Sequence, residues 1–292
     1  MLAVFLGLAA SLSWGVHDFI ARFASRGFGF MNTVFGVAVA GFVLVTVALL
    51  AIEGTIIVTT AALWLTVVTG AGYALATLCI FAALTYGRIA LVSPIVGSYP
   101  ATALAIGVAL GKMPSMEQWI IFAAITAGVI IVAASCRGEP QDDAASEGAI
   151  VVPNASTAIA YALGSNLCFA ISISAGQEAA TIVGDLTATW YARCFGLATI
   201  AALFLIRAKR PSVPINWLPA VIVVAALDSL ALLTILAAGN TDNALAATTI
   251  SSTFGVVTII LAAIFLRERM SLVQWLGVVM IFAGVARLIS LG

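Results

Sequence analysis

Charge is what this chain has least of. Its 292 residues include 12 Lys and Arg and 12 Asp and Glu, 8% in all, while 63% are hydrophobic and the mean hydropathy is +1.19. A water-soluble domain carries about 25% charged residues because its surface must face water. So few charges cannot coat a globule of this size, and the solvent for most of the surface must be lipid. The two signs balance, so no basic field attracts nucleic acid, which is excluded as a partner. There is one histidine, His17, and one histidine cannot build a zinc cluster. HExxH, GxSxG and Walker A patterns are absent, which argues against a metalloprotease, a serine hydrolase and an ATP-driven pump. The four cysteines, Cys79, Cys136, Cys168 and Cys194, form no CxxC pair. They indicate no disulfide framework and no metal site, and no cofactor is expected. No basic segment precedes the first apolar run, so that run is expected to be an uncleaved helix.

What is abundant is long apolar runs. Ten of them approach the roughly 20 residues that a membrane-spanning helix needs: 2–21, 32–52, 61–84, 90–110, 117–136, 155–177, 186–206, 216–239, 245–266 and 272–291. They are continuous rather than alternating, which excludes a β-barrel. Helices satisfy their own backbone in lipid. The chain therefore reads as an all-α membrane protein with ten transmembrane helices. One linker-like segment interrupts it, at 137–154, with Arg137, Glu139, Asp142, Asp143, Glu147 and Pro153. It divides the chain into 1–136 and 155–292, five helices each. Basic residues mark the cytoplasmic side. Arg22, Arg26, Arg88, Arg137, Arg207, Lys209, Arg210, Arg267 and Arg269 all follow odd-numbered runs, whereas Lys112 is on an even loop. The odd loops and the linker are thus expected in the cytoplasm and both termini outside.

The halves repeat. A shift of 156 residues brings Leu110 onto Leu266, Ser115 onto Ser271, Gln118 onto Gln274, Trp119 onto Trp275, Ile125 onto Ile281 and Gly128 onto Gly284. Five helices is an odd number, so the second half must enter the membrane upside down. Two inverted five-helix repeats are a construction of secondary transporters, with the substrate site near the midplane at the repeat interface.

The segment Leu266-Arg267-Glu268-Arg269-Met270-Ser271-Leu272-Val273-Gln274-Trp275-Leu276-Gly277, followed by Gly284, resembles the signature between the last two helices of a repeat in the drug/metabolite transporter superfamily, in its ten-helix EamA-type members. A weaker copy runs from Leu110-Gly111-Lys112-Met113-Pro114 to Gln118-Trp119, and Trp14-Gly15 and Pro94 also fit the family. Arg267 stands where the family usually has glycine, and Lys112 where it usually has glutamate. The resemblance covers the whole chain. It implies two inverted repeats, no catalytic activity, export of small molecules and a bacterial inner-membrane location. Within the family the chain is similar to bacterial exporters of amino acids, including aromatic ones. The implied partners are a small-molecule substrate and the lipid bilayer, and two fused repeats suffice as a monomer or weak homodimer.

Polar groups inside spans are costly and mark functional sites. Asp228, in the eighth run, has no Lys or Arg within a helical turn of it in sequence. It is suited to carry a coupling proton or bind an ammonium group, or else it hydrogen-bonds structurally to another helix. Asp18 and Arg22 have the i, i+4 spacing of an intrahelical ion pair. His17 shares a face with Trp14, and either lines the cavity and titrates near neutral pH or bonds to a neighbouring helix. Arg193 needs an acceptor, such as a helix C-terminus, Asp185 or Glu178. Trp14, Tyr73, Tyr99 and Trp190 are expected to form a cleft with polar handles or to anchor at the membrane surface. Pro94 and Pro100 interrupt the fourth run. Its inverted counterpart, the ninth, carries Thr248, Thr249, Ser251, Ser252 and Thr253 instead. Such paired interruptions are where a substrate site is expected. Asn166 completes the candidates. An aspartyl-type intramembrane enzyme would require Asp18 and Asp228 to meet, and a channel would require rings of like residues.

Overall fold

The computed structural model describes residues 1–54, 60–109, 115–135, 154–241, 243–268 and 270–289. The segment 137–154, apart from Asn154, lies outside the described residues, as do Cys136, Lys112 and Arg269. Twelve helices follow one another: α1 Leu2–Phe28, α2 Phe30–Glu53, α3 Leu63–Tyr86, α4 Ile89–Gly97, α5 Tyr99–Ala109, α6 Met116–Ser135, α7 Ala155–Val183, α8 Asp185–Ile206, α9 Leu218–Ala237, α10 Ala244–Ser251, α11 Phe254–Phe265 and α12 Leu272–Ile289. No strand occurs among the described residues. Eight stretches are long and apolar enough to cross a membrane, and Met116–Val132 and Leu272–Arg287 are shorter apolar helices. Two of the eight crossings are broken, because α4 with α5 and α10 with α11 each cross as one unit. The protein is thus a ten-pass helical membrane protein. Large apolar side chains such as Val47, Leu50, Ile264 and Leu276 point outward, where lipid rather than water accommodates them.

The last helix of each repeat shows the inversion. Helices α6 and α12 pack side by side. Glu117 at the start of α6 pairs with Arg287 at the end of α12. A Cβ on Gly284 would lie 2.6 Å from Ile125, and one on Gly128 would lie 2.9 Å from Ile281 and 2.8 Å from the Gly277 carbonyl oxygen. The two helices therefore run antiparallel. The 156-residue shift converts the Gly128–Ile281 contact into the Gly284–Ile125 contact, so the interface maps onto itself by a pseudo-two-fold. Small residues let the backbones approach this closely.

The recurring Ser-x-x-Gln motif has a local cause. In each copy the backbone N–H of the serine donates to the glutamine Oε1 at 2.9 Å, and the glutamine N–H donates to the serine Oγ at 3.2 Å. These are reciprocal capping boxes that start α6 and α12. A second repeat feature sits at the first turn of each half. Gly29 joins α1 to α2 with φ 95° and ψ 135°, and Gly184 joins α7 to α8 with φ 84° and ψ 152°. Only glycine adopts this backbone without strain.

One end of the bundle is tied by charges. Glu268 pairs with Arg22 and accepts from the backbone N–H groups of Ile89 (3.4 Å) and Ala90 (3.2 Å), capping α4. Arg26 donates to the carbonyls of Leu84 (3.3 Å) and Gly87 (3.1 Å), capping α3. Both placements match the helix dipole. The intrahelical Asp18–Arg22 pair expected from spacing does not form. Arg22 reaches Glu268 on the other repeat instead, because that carboxylate is already held by a helix N-terminus, and Asp18 bonds to His17.

Substituting Gly128→Val should cost about 1–3 kcal/mol by forcing α6 from α12, read as a lower thermal midpoint in detergent. Gly164→Ala, whose Cβ would meet Cys79 Sγ at 3.5 Å, should leave the midpoint unchanged.

Candidate functional site

Four helices bring charge to one buried point. Helix α1 supplies Trp14, His17 and Asp18, α3 supplies Tyr73, α8 supplies Arg193 and α9 supplies Asp228. All six side chains are at least nine-tenths buried. The Trp14 indole N–H donates to the Tyr73 hydroxyl at 3.0 Å, and that hydroxyl donates to Asp228 Oδ1 at 2.5 Å. Arg193 Nη1 donates to Asp228 Oδ2 at 2.7 Å. Its guanidinium carbon also stands 5.4 Å from the centre of the Tyr73 ring, a cation–π arrangement. His17 Nδ1 is 2.8 Å from Asp18 Oδ1, and its Nε2 is 3.8 Å from Asp228 Oδ1. The imidazole, with the Phe81 ring tilted against it at 5.4 Å between centroids, therefore stands between the two carboxylates.

Two expectations about these residues are corrected. Asp228 is not without a cation, and Arg193 pairs with neither Asp185 nor Glu178. Each is the other's partner. The reason is geometric: Asp185 lies eight residues away on the same helix, about 12 Å along its axis, whereas α9 packs directly against α8. No sequence spacing reports a contact between neighbouring helices. The imidazole between Asp18 and Asp228 also keeps them from forming the shared-proton dyad that an aspartyl enzyme needs.

Charge counting constrains the cluster further. Asp18 and Asp228 oppose one guanidinium, so a second proton on His17 makes the group neutral, and its loss leaves one net negative charge. Several donors and acceptors here have no partner: His17 Nε2, Asp18 Oδ2, Arg193 Nε, Arg193 Nη2 and the Ser229 hydroxyl. Buried polar atoms in this state are costly and call for a ligand, water or movement. Beside them lies a small cavity between α2, α3, α8 and α9, lined by Arg193, Asp228 and Tyr73 together with Val34, Val37 and Ile200. Its volume is about 20 Å³, room for about one water.

A second group of candidates gathers at the two helix breaks. Helix α4 passes through Pro94 and ends at Gly97. The interruption is at Ser98, just before Pro100. The freed carbonyl of Ile95 accepts from Asn166 Nδ2 at 2.8 Å, Ser98 Oγ accepts from the same nitrogen at 3.0 Å, and Thr102 donates to Asn166 Oδ1. Asn166 thus clamps the break from α7. The Tyr99 hydroxyl reaches the Thr248 carbonyl (2.8 Å) and the Ser251 hydroxyl (2.7 Å), fastening α5 to the end of α10. A Cβ at Gly97 would lie 3.0 Å from the Ser252 carbonyl oxygen, and one at Gly255 would lie 2.9 Å from that of Ser93. The breaks therefore meet, α4 against α11. Phe169 links both groups, with ring centroids 5.9 Å from Trp14, 5.5 Å from Tyr73 and 6.2 Å from Tyr99. It was absent from the sequence candidates, although it lies three residues from Asn166 on the same helix face. Trp190 is elsewhere: its indole donates to Thr46 Oγ1 at 3.0 Å, and it packs in a small separate cluster with Val45, Leu49 and Leu186. Among the described residues, no three His, Cys, Asp or Glu side chains converge to hold a metal.

Similarity to known proteins agrees with this architecture. The model of the EamA-like transporter family matches residues 1–134 and again 156–290. No curated protein matches significantly. A solved structure titled only "Crystal structure of protein" superposes with a TM-score of 0.62 at 18% identity, over 97% of this chain and 95% of that one, and so shares the fold.

Arg193→Gln should leave Asp228 buried beside no fixed cation and cost about 3–5 kcal/mol. Adding Asp228→Asn should restore most of the loss, since a neutral pair needs no counter-charge. Thermal unfolding of the four-member cycle in detergent measures this, and purely additive effects would refute the pairing.

Proposed function

As the chain belongs to the EamA-like transporter family, we propose that it is a secondary transporter that exports small neutral or zwitterionic metabolites, amino acids including aromatic ones among them, by alternating access. One observation carries the reading: a buried charged cluster built from α1 and α3 of the first half and α8 and α9 of the second. Inverted-repeat transporters hold substrate at that junction, and the halves rock around it. Trp14, His17, Tyr73 and Asp228 form the binding and coupling centre. Pro94, Tyr99, Asn166 and Ser252 form the hinge where the broken helices meet, while Trp190 is a packing residue.

The halves are 1–136 and 155–292, joined by a cytoplasmic linker at 137–154, and the monomer or a weak homodimer is the working unit. Both termini face outward from a bacterial inner membrane. The gathering of Arg22, Arg26 and the Glu268 loop at one end of the bundle supports a common side for the odd loops. The cavity beside the cluster admits about one water, too little for a metabolite, and on this reading the conformation is a closed one. Substrate enters only after the halves move.

Purified protein in liposomes, given radiolabelled leucine or phenylalanine with and without a pH gradient, tests the reading. Saturable, competable flux of one class is expected. If the gradient drives it, Asp228→Asn should remove the gradient dependence, because Asp18 alone is then balanced by Arg193 and the cluster no longer calls for a second proton on His17. Absence of flux for every amino acid would reject the amino-acid assignment.

A further inference from the structure

The unpartnered donors beside Asp228 share a direction. Arg193 spends one nitrogen on Asp228 and leaves Nε and Nη2 without acceptors. The Ser229 hydroxyl, also unpartnered, lies next to them. Ser229 Oγ and Arg193 Nε face Gly41 of α2, where a Cβ would stand 3.3 Å from the hydroxyl oxygen and 3.5 Å from Nε. Arg193 is 6% exposed and Ser229 8%, so water does not serve them as it would on a surface. The missing side chain at Gly41 lets α2 close over the guanidinium without supplying an acceptor. One and two turns before Gly41, Val37 and Val34 of α2 line the cavity that Arg193 lines, together with Leu197 and Ile200 of α8.

We propose that Arg193 Nε and Nη2 together with the Ser229 hydroxyl are a carboxylate subsite, and that the substrate is a monocarboxylate with an aliphatic group that lies against Val34, Val37, Leu197 and Ile200. The inference deepens the transport reading above and rests on it. The free edge of a guanidinium presents two parallel N–H groups, the geometry that a planar carboxylate accepts in bidentate fashion. Asp228 already neutralises the guanidinium and Asp18 lies nearby, so a dianion such as a phosphate ester meets net repulsion. A single carboxylate adds one charge, so its binding together with uptake of the second proton by His17 leaves the net charge of the cluster unchanged at one negative. Withdrawal of α2 from Gly41 opens the subsite, and in the closed state seen here the donors are held unpaired, ready for the ligand.

The test uses the purified full-length chain and three isosteric probes: leucine, 4-methylpentanoate, which lacks the amine, and isoamylamine, which lacks the carboxylate. Calorimetric binding is compared with inhibition of leucine flux in liposomes. The acid should bind within about tenfold of leucine and the amine at least a hundredfold more weakly. Arg193→Lys keeps a cation for Asp228, so the fold should survive, as the thermal midpoint checks, but it loses the fork and should weaken both carboxylates at least tenfold. Ser229→Ala should weaken them about fivefold, the worth of one hydrogen bond. Equal binding of amine and acid, or carboxylate affinities that stay within twofold in both variants, overturns the subsite while leucine transport stands. If leucine neither binds nor crosses, the aliphatic amino-acid reading and the subsite fall together.

Discussion

A carboxylate in the middle of a membrane must bring its counter-charge with it. Asp228 is 1% exposed, and lipid offers nothing to solvate it. The rest of the centre follows from that demand. Arg193 supplies the cation, Tyr73 a hydroxyl donor, and Trp14 the donor that orients the hydroxyl. Each comes from a different helix, so satisfying one acid fixes the relative positions of α1, α3, α8 and α9. A pair of this kind contributes little net stability, because desolvation offsets most of the attraction. Its effect is to make one arrangement of four helices much better than the alternatives, and to make that arrangement sensitive to any ligand that competes for Asp228 or Arg193.

The same demand, applied to backbone, explains the broken helices. Helix α4 has nine residues, about 14 Å, half of a 30 Å hydrocarbon core. Its last carbonyls thus end at depth, where nothing but protein can satisfy them. Asn166 and the Ser98 hydroxyl do so at Ile95. Because the second repeat is inverted, its own break reaches the same depth from the opposite side, and the two meet through Gly97 and Gly255. The chain can bend where the hydrogen bonding has been handed from backbone to side chains, and on the transport reading proposed above these are the positions about which the halves move.

Much of this was legible in the sequence. The ten crossings follow from run length alone, and the inversion follows from an odd helix count and the recurrence of Ser115-x-x-Gln118 at Ser271-x-x-Gln274. The paired interruptions were anticipated at Pro94 and at the hydroxyl run, although the first break falls at Ser98. The pairings were not legible. The spacing of Asp18 and Arg22 suggested a bond that tertiary structure replaced, because i, i+4 places two residues on one face without excluding a stronger partner on another helix. Arg193 and Asp228 are 35 residues apart, and no local pattern joins them. The aromatic candidates divided for a similar reason: Trp14 and Tyr73 face the acid, while Trp190 faces a small apolar cluster, and a sequence does not record which way a helix is rotated.

Two sets of contacts hold this arrangement of helices, and they differ in kind. Glu268 is fully engaged, with a guanidinium on one side and the N-terminus of α4 on the other, so it ties α1, α4 and α11 at one end with nothing left over. The centre is incompletely satisfied: His17 Nε2, Asp18 Oδ2, two nitrogens of Arg193 and the Ser229 hydroxyl lack partners. A fully satisfied end and an unsatisfied centre favour movement in which the end releases only when the centre gains something in return. A ligand that fills the vacant hydrogen bonds lowers the energy of states in which α2 has withdrawn. It does so by the difference between its contacts there and in the closed form, and by no more than that. On the transport reading proposed above, coupling of substrate binding to a change of access requires no device beyond the unpaired polar atoms and the helices that bury them.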